Sequence, residues 1–146
     1  MKTILAPVDF STSSTSVIDT ATELATALSA EIVLLHVVTP PIVASEYGLV
    51  MENVSEIVAA AEKASTVHLT KMLQSVSDQG VKTRTHQAVG SPVETILQIA
   101  AEEACDYIVM GSHGHSAFYD LLIGSTTHGV LHKAPCPVLI VPRQAP

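Results

Sequence analysis

The sequence predicts an α/β domain, a parallel five-stranded sheet held between two layers of helices, and three observations carry that prediction. Apolar runs of strand length alternate with segments of helical period, in the order βαβαβαβαβ. Such alternation implies parallel strands joined by helical crossovers. The strand runs are near-continuous and β-branched, as in Glu31-Ile-Val-Leu-Leu-His-Val-Val38, which suits strands buried on both faces. The composition agrees: 47% of the 146 residues are hydrophobic and only 14% charged, enough apolar material for one domain over residues 1–146.

Thr3 to Val8 reads as the first strand, with Pro7 near its carboxyl end because proline removes a ladder donor. Asp9-Phe10-Ser11-Thr12-Ser13-Ser14 follows, rich in helix-capping residues. Val17, Ile18, Ala21, Leu24, Ala25 and Leu28 recur at helical spacing and place the first helix at about 13 to 29. Glu31 to Val38 is the second strand, stopped by Thr39-Pro40-Pro41. The long aperiodic stretch 39–53 reads as a connection with a possible lid or partner role.

Val54 to Val76 carries the longest helical pattern, with Ile57, Val58, Ala61, Ala64, His68, Leu69, Met72, Leu73 and Val76 assigned to its buried face. Gly80 serves as its C-terminal cap. Val81 to Val89 is more polar and alternating, which suits an edge strand. Ser91-Pro92-Val93-Glu94 opens the third helix, with Ser91 as the cap, Pro92 in the first helical position and Glu94 closing a capping box. Val93, Ile96, Leu97 and Ala100 face inward from it. Tyr107 to Met110 is the fourth strand, and Val138 to Val141, after a short helical segment, the fifth.

The chemistry concentrates between those last two strands. Gly111-Ser112-His113-Gly114, a nine-residue spacer and Gly124-Ser125-Thr126 form a glycine loop leading from a strand to a helix. Glycines let backbone N–H groups approach an anion, and the helix start adds unpaired N–H groups and positive dipole. Ser125 and Thr126 supply hydroxyl donors. This is a nucleotide site built mainly from main chain. Asp9, at the end of the first strand, faces the same crevice if the first and fourth strands are neighbours.

Other chemistries are absent. A Walker loop is missing, as are a nucleophile elbow and the acidic cluster with strand-end lysine of a phosphoacceptor domain. Nucleotidyl transferases of α/β type carry His-x-Gly-His after the first strand, where this chain has Asp-Phe-Ser-Thr-Ser-Ser. His113, His115, His128 and His132 lack a Cys or carboxylate at ligand spacing, so no metal site is assigned. His68, on the apolar helix face, reads as structural. Net charge is −7, which excludes a general binder of nucleic acid or anionic membrane. No apolar run reaches membrane-spanning length and no signal-peptide core follows Met1. Cys105 and Cys136 read as buried or idle thiols in a reducing compartment, so the expected location is cytoplasmic.

The pattern Gly111-x2-Gly114-x9-Gly124-Ser125 resembles the nucleotide-binding signature of the universal stress protein family. Ile4-Leu-Ala-Pro-Val-Asp-Phe-Ser11, Leu34-Leu-His-Val-Val38, Gly90-Ser-Pro92 and Ala134-Pro-Cys-Pro-Val-Leu-Ile-Val-Pro142 match it in the same order along the chain. The resemblance implies sheet order 3-2-1-4-5, an adenine nucleotide (ATP or AMP, with Mg²⁺) and a homodimer paired through strand 138–141. It implies Asp9 at the ribose, Val37 at adenine through its backbone, Gly111 on the sugar side, and Gly114, Gly124, Ser125 and Thr126 at the phosphates. Pro7, Val8, Met110, Ser112, His113 and Thr127 flank these and complete the candidate set.

One departure has consequences. Family members often carry Arg or Lys after the second glycine and within the spacer, whereas no Lys or Arg occurs here between Arg84 and Lys133. A helix end contributes only about 0.3–1 kcal/mol per charge. Triphosphate binding is therefore expected to depend on Mg²⁺, with His113 or His115 assisting when protonated. The first functional reading is a nucleotide-binding regulatory or stress-response protein, a dimeric switch with an unidentified protein partner and no catalytic residue. The second is a slow ATPase or self-phosphorylating protein with Ser112, Ser125 or Thr126 as acceptor. The third is a nucleotide-free dimeric scaffold.

Overall fold

The computed structural model describes residues 1–41, 53–113 and 123–143. Five parallel strands and four helices alternate: β1 (Thr3–Pro7), α1 (Ser13–Leu28), β2 (Glu31–Val38), α2 (Val54–Ser77), β3 (Thr83–Val89), α3 (Pro92–Glu102), β4 (Tyr107–Gly111), α4 (Ser125–Lys133) and β5 (Val138–Val141). The sheet order is β3-β2-β1-β4-β5. The chain winds outward from β1 to β2 and β3, then crosses back to β4 and β5. The winding reverses between β1 and β4, which pair directly through Ile4↔Tyr107 and Leu5↔Ile108. Connections leaving that pair diverge and open a crevice at the strands' carboxyl ends.

The continuous apolar runs are explained by two cores, one on each face of the sheet. Ile4, Ala6, Ile32, Leu34 and Val109 pack against Val17, Ile18, Ala21 and Ala25 of α1 and Leu69 and Val76 of α2. Leu5, Val33, Leu35, Ile108 and Met110 point the other way, against Ile96, Ile99 and Ala100 of α3 and Val130 of α4. Neighbouring residues on one strand thus serve opposite cores, as the two-residue period of a strand requires.

Two expectations need correction. The inward stripe of α2 is narrower than its apolar period suggests. Ser65, Leu69 and Val76 are buried, whereas Ala64 and His68 are exposed and Ile57 is 49% exposed. The helix lies over the β2–β3 side of the sheet, so one row of side chains at spacings of three and four meets the strands. Buried Ser65 is tolerated because its hydroxyl donates to Ala61 O at 2.7 Å. At α3, Ser91 has extended N-cap geometry and Pro92 opens the helix, but Ser91 makes no side-chain capping bond. Its carbonyl instead accepts the Thr95 N–H at 3.0 Å. Gly80 has φ +81°, the left-handed conformation expected just beyond a helix end. The lid expectation for 39–53 falls mainly on residues 42–52, outside the described residues.

Candidate functional site

The turn after β1 is held on several sides. Val8 N–H donates to Leu35 O, and Val8 O accepts the Nδ1–H of His36, both at 2.8 Å. Because a carbonyl only accepts, this contact sets the His36 tautomer. Asp9 Oδ1 accepts from Ser11 N–H at 3.0 Å and from Ser14 Oγ at 3.4 Å. The carboxylate therefore starts α1 through a side-chain turn. Phe10 then takes φ +61°, a conformation that strains a bulky residue. Its ring stacks with His36 at 4.3 Å and with His68 at 4.8 Å between centroids, contacts that hold it there. His68 is thus structural through stacking, from an exposed position.

Across the crevice, the loop after β4 folds tightly onto the start of α4. Ser112 N–H donates to Val141 O at 2.9 Å, and Gly124 N–H to Ser112 O at 2.7 Å. Thr127 Oγ1 donates to Gly111 O at 2.7 Å. A Cβ on Gly124 would lie 3.3 Å from Ser112 O, and one on Gly111 3.3 Å from His113 O. Both approaches are tight against backbone, which cannot swing aside as a side-chain tip can. Gly124 is the N-cap of α4 and brings no side-chain acceptor to the first turn.

Between these two walls lies a cavity of about 520 Å³. It is lined by Pro7 at the end of β1 and Val8 and Asp9 after it, Val37 on β2, Met110 and Gly111 at the end of β4 and His113 beyond it, and Gly124, Ser125, Thr126 and Thr127 at the start of α4. Ser112 stands apart: it is buried, outside the lining, and its hydroxyl accepts from Arg143 N–H. Gly114 and His115 fall outside the described residues. Sequence reasoning missed several lining residues. Ser13 and Ser14 carry only a capping signal, and His36 only that of a strand, although it adjoins Val37. Ala61 of α2 and Pro92 and Ile96 of α3 also line the cavity, and no local signal marks them.

Among the described residues, the ionisable groups of this lining are Asp9, His36 and His113, with no Lys or Arg. Among the described residues no group of three His, Cys, Asp or Glu is placed to hold a metal. No helix among them is long and apolar enough to cross a membrane. Away from the cavity, Arg84 forks onto Glu103 at 3.1 and 2.6 Å and Lys82 meets Glu31 at 2.9 Å.

The family model described as "Universal stress protein family" matches residues 1–142. The chain belongs to the universal stress protein family. It is similar to universal stress protein MJ0577 of Methanocaldococcus jannaschii, 30% identical over 98% of this chain and 96% of that one. The solved structure of MJ0577 aligns with a TM-score of 0.87 at 32% identity, covering 99% of this chain and 98% of the other. Universal stress protein YxiE of Bacillus subtilis is 33% identical over 94% of this chain and 97% of its own. The fold is also that of a more distant Archaeoglobus fulgidus universal stress protein solved in complex with dAMP, with a TM-score of 0.67 at 21% identity over 96% of this chain and 97% of that one. The five-stranded order that the resemblance implied is the order found.

Proposed function

We propose that this universal stress protein binds an adenine nucleotide, ATP or AMP, and acts in the cytoplasm as a dimeric regulatory switch. The observation that carries this reading is one cavity with Asp9 on one wall and the glycine-capped start of α4 on the other. Its volume, about 520 Å³, lies within the usual range for small-molecule sites. Asp9 would take the ribose hydroxyls and the Val37 main chain the adenine edge. Gly111, Gly124, Ser125 and Thr126, with Gly114 beyond the described residues, would hold the phosphates. A relative of the same fold in complex with dAMP supports an adenine mononucleotide as a ligand of this size.

Asp9 is the only carboxylate in the described lining, and its Oδ1 already serves Ser11 and Ser14. Mg²⁺ would therefore arrive on the nucleotide's own phosphate oxygens and keep water ligands, as magnesium commonly does. The described lining, without Lys or Arg, favours holding a nucleotide over rapid phosphoryl transfer, which relies on concentrated positive charge. The dimer would form through β5, an edge strand of four residues whose Leu139 is 41% exposed.

The test is to denature purified protein, with and without prior Mg-ATP, and chromatograph the released nucleotide. Stoichiometric adenine nucleotide, unchanged over hours, is the expected result. Decay to ADP, blocked by loop substitution, would instead make this a slow enzyme. No nucleotide under either condition would leave a scaffold. Sedimentation of a Leu139→Lys variant checks the assembly, with monomer expected.

A further inference from the structure

A pair of histidines stands on α4, outside the described cavity lining. His128 and His132 are four residues apart and both exposed. Residues at that spacing share one helix face. The two ring centroids are 5.0 Å apart, with the ring planes at 71°. Imidazole nitrogens bind Zn²⁺ at about 2.0–2.1 Å, so two rings meeting one ion at a tetrahedral angle have centroids about 5 Å apart. The helix backbone thus already spaces these rings for a chelate. They meet edge to face, and a turn about χ2, a soft torsion at an exposed ring, brings one nitrogen of each to a common point. The pair lies in the second half of α4, toward the negative end of its dipole, which suits a cation. Exposed Lys133, next in the chain, opposes this in part.

We propose that His128 and His132 chelate one divalent late transition ion, of the Zn²⁺, Ni²⁺ or Cu²⁺ class, on the exposed side of α4, with water completing its coordination. Neutral imidazole suits these ions, whereas Mg²⁺ prefers oxygen ligands. The site is therefore distinct from a nucleotide's Mg²⁺ and does not rest on the nucleotide reading. Among the described residues no third His, Cys, Asp or Glu joins the pair, so the ion keeps open positions and exchanges with chelators. The spacing is that of the helix histidines in His-Glu-x-x-His zinc sites, but Gly129 holds the glutamate's place. Without that general base the ion's effect is structural. It clamps one turn of the helix whose start forms a wall of the cavity. The chelate exists only while α4 is folded, so the ion stabilises the native state by mass action.

The test titrates the purified protein with zinc chloride by calorimetry, in a non-coordinating buffer at about pH 7.5, where free imidazole is mostly neutral. One Zn²⁺ per chain is expected at this pair, removed by EDTA, with a raised melting temperature in its presence and no such response to Mg²⁺. His128→Gln and His132→Gln should each weaken this binding at least about tenfold, since even an outer-shell partner of a metal ligand is worth about 10–100-fold. Both should lose the melting shift while melting like the wild type in EDTA. A double variant, His132→Gln with Lys133→His, keeps the number of histidines and breaks the spacing of four, so it should behave as His132→Gln. Zn²⁺ binding that survives in the single variants would overturn the proposal and place the ion on other side chains. A double variant that binds like the wild type would overturn the chelate in favour of independent imidazoles. No Zn²⁺ binding by the wild type would also overturn it. In ¹H–¹⁵N spectra of the wild-type imidazoles, His128 and His132 should shift together with Zn²⁺, and shifts confined to other rings would overturn the proposal without any variant.

Discussion

Thr127 Oγ1 donates a 2.7 Å hydrogen bond to Gly111 O, so the first turn of α4 is fastened to the last residue of β4. The hydroxyl belongs to a residue only 3% exposed, deep in the wall of the cavity. Thr127→Val keeps the shape and strands the Gly111 carbonyl. We expect a loss of about 1–3 kcal/mol of stability, the cost of a buried acceptor without its partner, together with weaker nucleotide binding. Denaturant unfolding with and without AMP reads both effects. A valine variant as stable as the wild type would mean that this bond contributes nothing.

Gly124 tests the tightness of the loop. A Cβ there sits 3.3 Å from Ser112 O and 3.5 Å from His113 Cα. Gly124→Ala should fold and bind nucleotide more weakly, because the backbone gives by a few tenths of an ångström. The branched side chain of Gly124→Val should abolish binding and lower stability by about 1–3 kcal/mol, as overpacking does. Calorimetric titration of both variants checks the order, and equal affinity across the series would remove the loop from the site.

Magnesium dependence is expected of the proposed nucleotide complex. Among the described lining residues Asp9 is the carboxylate, and none is Lys or Arg. Free ATP in EDTA should bind at least about tenfold more weakly than Mg-ATP, while AMP should change little; about 1.4 kcal/mol of uncompensated repulsion suffices for that factor. Equal ATP affinities with and without EDTA would contradict this account of the electrostatics.

The charge cluster around β3 sets an acid sensitivity. The Arg84 guanidinium beside Glu103 holds that carboxyl below its ordinary value, and Lys82, with Arg84, does the same for Glu31. A depressed folded pKa contributes stability above the unfolded value and loses it as pH falls through the folded one. Wild-type stability should therefore drop as pH falls below about 4.3, the ordinary Glu value. Arg84→Met should lie below the wild type at neutral pH, with the gap closing in acid. These side chains are partly exposed, so the gap at neutral pH should be small, at most about 1 kcal/mol. A gap that persists unchanged at low pH would assign the effect to lost packing instead.

Cys105 is buried, and burial pushes its thiol up to about 11. The thiolate is the reactive form. Native protein should leave Cys105 unlabelled by a thiol reagent at about pH 8, with labelling appearing on unfolding. Half-buried Cys136 is also pushed upward by burial and should react slowly. Rapid labelling of Cys105 in the native state would show that the α3–β4 core opens.

Local patterns reach far in this chain. The Val33–Leu35 run, alternating between two cores, and Gly80 at positive φ follow from periodicities of two residues and from the sterics of one. Gly111 and Gly124 line the cavity, while Gly114 lies outside the described residues. The side of α2 that turns inward was not legible. Ile57 and Ala64 are as apolar as the row that packs, and only the position of the helix over β2 and β3 chooses between them. Asp9 shows the overlap, because one carboxylate both starts α1 and lines the cavity.

The sequence by itself determined the alternation of elements and the double-sided sheet, because each depends on residues within a few positions of one another. Tertiary structure alone decided that Ala61, Pro92 and Ile96 share a cavity with Asp9, and that Ser112 bonds to Val141 and Arg143. Those meetings depend on β1 lying beside β4 and on the register that sets Gly111 opposite Val141. Such pairings join residues distant along the chain, and they are settled by the packing of the whole sheet between its helices.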